Sequence, residues 1–184
     1  MDAAALTPVT QQISGRASLT AVPTGPDRGQ PLAAAVAELP VVDAAGVRVP
    51  FGELFRERRA VVLFVRHFLC YVSKEYVEDL AKVPRSVLEE ANITLIVIGQ
   101  SSYHHIEPFC KLTGYSYEIY VDPEREIYKR LGMKRGEEIA SSGNNIHFIH
   151  RDRNRLDHKP INSVLQLVGI QHIDFTNRSS VIHV

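Results

Sequence analysis

Tryptophan is absent from these 184 residues, cysteine and methionine occur only twice each, and neither sign of charge is in excess, with 21 Lys and Arg against 21 Asp and Glu. Two cysteines cannot build the disulfide framework of a small secreted scaffold. Balanced charge removes the global field that gathers nucleic acid or anionic membrane, so neither partner is expected. Long hydrophobic runs are missing too. The longest, residues 60–65 and 93–98, fall far short of the roughly 20 needed to cross a bilayer. The start, Met1 and Asp2 followed by alanines, lacks the basic and apolar regions of a secretory signal. Arg16 and scattered hydroxyls make a weak case for a transit peptide, against the acid at Asp2. A reduced, cytoplasmic setting is the expectation.

Aromatic residues are missing from the first part of the chain: all seven Phe and all seven Tyr lie at or after Phe51. The first 35 residues are rich in Ala, Pro, Gly, Thr and Ser without a clear period, as in disordered segments. The reading is a disordered tail over residues 1–36 and one folded domain over 37–184. With 45% hydrophobic residues, the chain has material for one sizeable core.

Residues 39–42 and 47–49, joined by a turn at 43–46, read as a short hairpin, followed by a helical turn or two through Leu54 and Phe55. The continuous β-branched and aromatic runs at 60–65 and 93–98 fit strands buried on both faces. Residues 73–91 carry Val77, Leu80, Val83 and Val87 at spacings of three and four, predicting a helix kinked at Pro84. Residues 101–113 read as a helix ended by Gly114, and 119–121 as a short strand. Asp122 and Pro123 predict the opening of a helix through Ile127, Tyr128 and Leu131 that closes at Gly132. A strand is expected at 145–151 and a last helix at 160–169. Buried strands alternating with helices indicate a three-layer α/β domain with a mainly parallel sheet. In such sheets chemistry gathers where strands end and helices begin, so the residues after Val65 and Ile98 are the ones to inspect.

After Val65 come Arg66, His67, Phe68, Leu69, Cys70, Tyr71, Val72 and Ser73, which place a cysteine between a buried strand and a helix start. The helix terminus supplies partial positive charge and free N–H donors, and Arg66, His67 and Lys74 are close in sequence. These features favour a thiolate at Cys70. The bland alternative is a small buried hydrophobe, as free cysteines often are.

The segment 64–76 resembles the active-site stretch of the thioredoxin-fold superfamily. From residue 37 onward the chain resembles the peroxiredoxin-like 2 family of AhpC/TSA-like antioxidant proteins. The resemblance rests on 49–65 (VPFGELFRERRAVVLFV), 66–79, 94–113 (TLIVIGQSSYHHIEPFCKLT), 120–132 and 144–158. It implies a thioredoxin-like fold with a central mixed sheet, and thiol-based redox chemistry from a Cys-x-x-Cys at the helix start. A peroxide or disulfide would be the substrate and a thiol the reductant, with a protein partner a further option. In this chain Ser73 stands where the resemblance implies the second cysteine, and a serine hydroxyl forms no sulfenic acid. With Cys70 alone, the remaining thiol chemistry is a mixed disulfide with glutathione or a protein. The resemblance also implies an extended segment with a strand between the helix near Met133 and Asn145. Here 139–143 makes that connection directly. Either 145–151 fills the missing strand's slot or the sheet is one strand short.

The site residues expected on these grounds are Cys70 as the reactive thiol, Ser73 as a hydrogen-bond donor to its sulfur, and Arg66 as a charge that stabilises the thiolate. Cys110, on a helix face with Ile106 and Phe109, reads as packing or as a resolving thiol. His104 and His105 diverge around a helix, and His147 and His150 face opposite sides of a strand, so neither pair is a chelate and no metal or cofactor is expected. The charge clusters at 56–59, 125–135 and 151–155 include or adjoin acids and read as solvated faces. Two functions remain open: a thiol-dependent redox protein, and a non-catalytic regulatory or interaction module on the same fold.

Overall fold

The computed structural model describes residues 30–133, 137–142, 145–151 and 159–174. Most of the expected tail and part of the third charge cluster lie outside the described residues. In chain order the elements are β1 (Gln30–Pro31), α1 (Ala34–Ala37), β2 (Pro40–Val42), β3 (Arg48–Pro50), a 3-10 turn (Phe51–Phe55), β4 (Arg59–Phe64), α2 (Tyr71–Leu80), α3 (Arg85–Glu90), β5 (Ile93–Gly99), a second 3-10 turn (Tyr103–His105), α4 (Ile106–Thr113), β6 (Glu118–Val121), α5 (Glu126–Arg130), β7 (Glu137–Ser142), β8 (Asn145–Arg151) and α6 (Ile161–Leu167). One sheet runs in the order β1-β8-β7-β4-β5-β6-β2-β3. The pairs β4–β5 and β5–β6 are parallel. The remaining pairs are antiparallel, so the sheet is mixed and not mainly parallel as the alternation of strands and helices suggested, because hairpins add antiparallel strands on both sides of β4–β5–β6.

The continuous apolar character of β4 and β5 follows from burial on both faces. Val61, Leu63, Val65, Leu95 and Val97 point into one core with Val77 and Leu80 of α2, Leu88 of α3, Phe109 of α4 and Val164 and Leu165 of α6. Ala60, Val62, Phe64, Ile96 and Ile98 point into the other, against Phe51, Leu54, Phe55, Ile127 and Tyr128. The second core holds a chain of edge-to-face rings, Phe55–Phe51–Phe64–Tyr128, with centroid separations of 5.1, 5.9 and 5.0 Å. Such pairs add about 0.5–1.5 kcal/mol each beyond area burial. Three layers result, as expected.

Four readings change in detail. Leu32 and Val36, within the stretch read as tail, are buried in the second core, and β1 pairs with β8, so the fold includes residues before 37. The helix expected over 73–91 is two helices, α2 and α3. Pro84 adopts an extended conformation, with φ −65° and ψ 137°, which a proline preceding a helix readily supplies. Asp122 does cap α5, but from ahead of it. Its carboxylate accepts the N–H groups of Glu126 (3.2 Å) and Ile127 (2.9 Å), while Arg125 takes the left-handed conformation just before the helix. Finally, the slot beside β4 is filled by β7, not by 145–151 and not left vacant. Residues 137–142 pair with β4 in antiparallel register from Arg59↔Ser142 to Phe64↔Glu137, and β8 lies outside them.

Candidate functional site

β4 ends at Phe64, and α2 begins at Tyr71 on the face that carries the first core. The connection must therefore leave the sheet, turn and enter a helix within six residues. Val65 still bonds in sheet fashion, its N–H donating to the Ile98 carbonyl at 2.8 Å, and the Gln100 N–H donates to the Arg66 carbonyl at 3.2 Å. A tight turn follows, closed by the Cys70 N–H donating to the His67 carbonyl at 3.0 Å. Within it Phe68 points inward while His67 and Leu69 are exposed. Cys70 is then the N-cap of α2, with φ −83° and ψ 121°, and its carbonyl accepts the Lys74 N–H at 2.9 Å. This is the strand-to-helix placement expected from sequence.

The Cys70 sulfur is half-buried. Burial opposes its ionisation more than any other single effect. The backbone N–H of Ser73, the Ser73 hydroxyl, the Val72 N–H and the Arg66 charge act in the opposite direction and together hold the thiol below its ordinary value. The structure thus brings Cys70, Ser73 and Arg66 together. Lys74 does not join them, since its ammonium pairs with Glu78 at 2.5 Å. Ser73 is buried, 5% exposed, so its hydroxyl is shielded from solvent. Leu69 and Tyr71, either side of the thiol in sequence, are 80% and 68% exposed. Large apolar side chains at such exposure around a nucleophile shape what can approach it.

Cys110 is half-buried on α4, packed beside the first core, and burial pushes its thiol up. A raised thiol is a poor nucleophile at neutral pH, which agrees with the packing role. His104 stacks against Tyr103 with centroids 4.0 Å apart. Among the described residues no group of three His, Cys, Asp or Glu side chains converges as metal ligands.

Several residues that hold the site were not singled out from sequence. The Phe68 N–H donates to the Ser101 hydroxyl at 3.1 Å in a buried contact, and the Phe68 ring stacks on Phe109 with centroids 4.4 Å apart. Gly99 sits directly beneath that ring, where an added Cβ would lie 2.5 Å from a ring carbon. The Tyr128 hydroxyl lies 2.7 Å from both the Val65 and Ile98 carbonyls and ties together the ends of β4 and β5. The available signal was positional, because Gly99 and Ser101 fall just after Ile98, the second strand end marked for inspection.

Comparison with solved structures places this architecture. Reduced Prx3 of Vibrio vulnificus in complex with H2O2 superposes with a TM-score of 0.66 at 12% identity, covering 77% of this chain and 97% of that one. Xanthomonas campestris Peroxiredoxin Q superposes with a TM-score of 0.63 at 14% identity, covering 76% and 94%. The fold is thioredoxin-like, of the peroxiredoxin type. Residues 79–170 match the AhpC/TSA antioxidant enzyme family, a match that begins within α2, beyond Cys70. The chain is also 68% identical to Peroxiredoxin-like 2C of Homo sapiens over an alignment of 225 residues, covering 98% of this chain and 100% of the relative. It therefore belongs to the peroxiredoxin-like 2 family, whose relationships support a redox-type protein. The alignment is longer than this chain, so part of the relative has no counterpart here. Among the described residues no helix is long and apolar enough to cross a membrane.

Proposed function

We propose that this chain is a monothiol redox protein that exchanges disulfides through Cys70. The observation that carries the reading is the half-buried Cys70 placed at the N-cap of α2, where the Ser73 and Val72 amides, the Ser73 hydroxyl and the Arg66 charge act to lower its pKa. A lowered pKa raises the thiolate fraction at a given pH, and the thiolate is the nucleophile. It attacks one sulfur of a disulfide R–S–S–R′. The Cys70–SR bond forms as the S–S bond breaks, R′S⁻ leaves, and the leaving thiolate takes up the equivalent of the proton Cys70 gave to solvent. A second thiol then attacks the mixed disulfide and restores Cys70, so one disulfide is reduced and one is formed. Ser73 donates to the sulfur and Arg66 stabilises its charge. Peroxide turnover through the second motif position is outside this chemistry, because Ser73 cannot carry a sulfenic acid.

The test combines two measurements on the full chain. Iodoacetamide labelling against pH should give a Cys70 midpoint below the ordinary thiol value. Oxidised glutathione should give an intact-mass adduct that persists in Cys110→Ser and vanishes in Cys70→Ser. An ordinary midpoint, or an adduct that follows Cys110, sinks the reading. A Ser73→Cys variant that consumes peroxide with a thiol reductant, where the parent does not, would localise the lost peroxidase step to position 73.

The exposed Leu69 and Tyr71 favour a second reading, in which the same face is a protein-interaction surface and the thiol only tunes the contact. Unreactive Cys70 with retained partner binding would select it.

A further inference from the structure

We propose that Ser101 is a positioning residue for the Cys70 thiol, acting through Phe68. The inference rests on the reading of Cys70 as the reactive group and deepens it. The turn from His67 to Cys70 is the only covalent path by which the end of β4 sets where the sulfur meets α2, and its outer residues are not held by packing: His67 and Leu69 are exposed. Phe68 is the sole inward anchor of that turn, 4% exposed. Three contacts fix it, from the last residue of β5, from just after it and from α4. The Ser101 hydroxyl accepts its N–H, Phe109 stacks on its ring, and the bare backbone of Gly99 lets the ring lie flat.

Ser101 is itself buried, 8% exposed, so no solvent can take over as acceptor without the turn opening. Opening the turn would release the Cys70 N–H from the His67 carbonyl and swing the sulfur away from the Val72 and Ser73 amides. Ser101 thus touches neither substrate nor sulfur. It sets the sulfur's environment from the neighbouring strand end, which makes the second strand terminus a working part of the site.

The test is the pH profile of iodoacetamide labelling at Cys70 in the full chain. Ser101→Ala should move the midpoint upward and slow labelling at pH 7 about two- to threefold, since a rise in pKa lowers the thiolate fraction faster than it raises intrinsic nucleophilicity. Ser101→Thr keeps the hydroxyl and should restore the parent profile. Tyr117→Phe, which loses a buried-side hydrogen bond to the Val83 carbonyl remote from the turn, should leave the midpoint in place even if the protein melts earlier. A Ser101→Ala chain with native circular dichroism and an unmoved midpoint overturns the inference. Should that variant fail to fold, amide hydrogen exchange in the parent decides: protection at Phe68 supports the anchor, and exchange at the rate of an open loop overturns it. If the parent midpoint is itself ordinary, the reading of Cys70 falls and takes this proposal with it, an outcome distinct from an unmoved but depressed midpoint.

Discussion

Replacing Ser73 by alanine isolates one hydroxyl without disturbing the two amides that share the sulfur. The side chain is buried and small, so Ser73→Ala removes little volume, and alanine favours the helix interior. What is lost is the hydroxyl bond to Cys70, one of four effects that lower its pKa. A hydrogen bond to a charged group contributes roughly 1.5–3 kcal/mol when shielded. The sulfur is only half-buried, so solvent screening reduces this to about 0.7–1.4 kcal/mol, with the midpoint moving upward. A one-unit rise cuts the thiolate fraction at pH 7 about tenfold. Intrinsic nucleophilicity rises about threefold in compensation, with a Brønsted coefficient near 0.4–0.5. The net expectation is a midpoint displaced upward and a labelling rate at pH 7 about two- to threefold lower, read by iodoacetamide kinetics from about pH 5 to pH 10. The sign follows from linkage: a thiol whose folded value is depressed adds stability only at pH values where it ionises, and that addition fades as pH falls through the folded value. Ser73→Ala should therefore lose stability mainly on the alkaline side. A variant with the parent's midpoint and rate would show that the hydroxyl does not act on the sulfur, leaving the amides and Arg66 as the only source of the depression.

Three further expectations concern the scaffold. Tyr128→Phe removes the hydroxyl shared by the Val65 and Ile98 carbonyls in a fully buried setting and should lower stability by about 1–3 kcal/mol; an unchanged urea midpoint would refute the bridging role. Glu118→Gln breaks the two-pronged pair with Arg58, whose nitrogens lie 2.5 and 2.8 Å from the carboxylate. Both side chains are about one-third exposed, so the loss should be only about 0.2–1 kcal/mol and should shrink in high salt; a loss that is large and salt-independent would refute it. Burial raises the Asp122 carboxyl above its ordinary value despite bonds from the Ile127, Glu126 and Tyr128 amides. The unfolded chain then releases that proton at lower pH than the folded one, so the contribution of Asp122 to stability declines as pH rises through the window above the ordinary value. In urea titrations from about pH 3 to pH 6, the stability of the parent minus that of Asp122→Asn should therefore fall; a rising difference would mean the carboxylate is net stabilised.

The strongest readings from sequence were those where one stretch of chain carries its own signal. β4 and β5 are unbroken apolar runs, and burial on both faces leaves no other role for them. Gly114 ends α4 in the left-handed conformation, with φ 69°, and Gly132 does the same after α5 with φ 68°. The helix expected over 73–91 failed at Pro84 because the apolar spacing of Val77, Leu80, Val83 and Val87 continues through the break: both short helices face the same core, and periodicity records the face, not the backbone. β7 was not legible. Its sequence EEIASS is mostly polar, and its strand state depends on pairing with β4 and β8. The proximity of Cys70, Ser73 and Arg66 could be read because they lie on one local segment. Ser101 and Gly99 could not, since their bearing on Cys70 exists only once β5 lies beside β4.

That division bears on what survives when the second cysteine is absent. A Cys-x-x-Cys dithiol needs two sulfurs on one helical turn, and this chain carries Ser73 three residues after Cys70. The features that lower the Cys70 pKa come from elsewhere: from the helix start, whose amides would be free with any residue at 73, from Arg66 on the incoming loop, and from Ser101 and Gly99, which hold the turn by way of Phe68. None of these depends on a thiol at 73, and a serine there returns one hydrogen bond to the sulfur. A serine at 73 therefore leaves no second thiol in the motif while the surroundings that lower the Cys70 pKa remain. On the proposed reading, a mixed disulfide at Cys70 has no neighbouring thiol in its motif to release it, so its lifetime is set by the external thiol that reaches it past Leu69 and Tyr71.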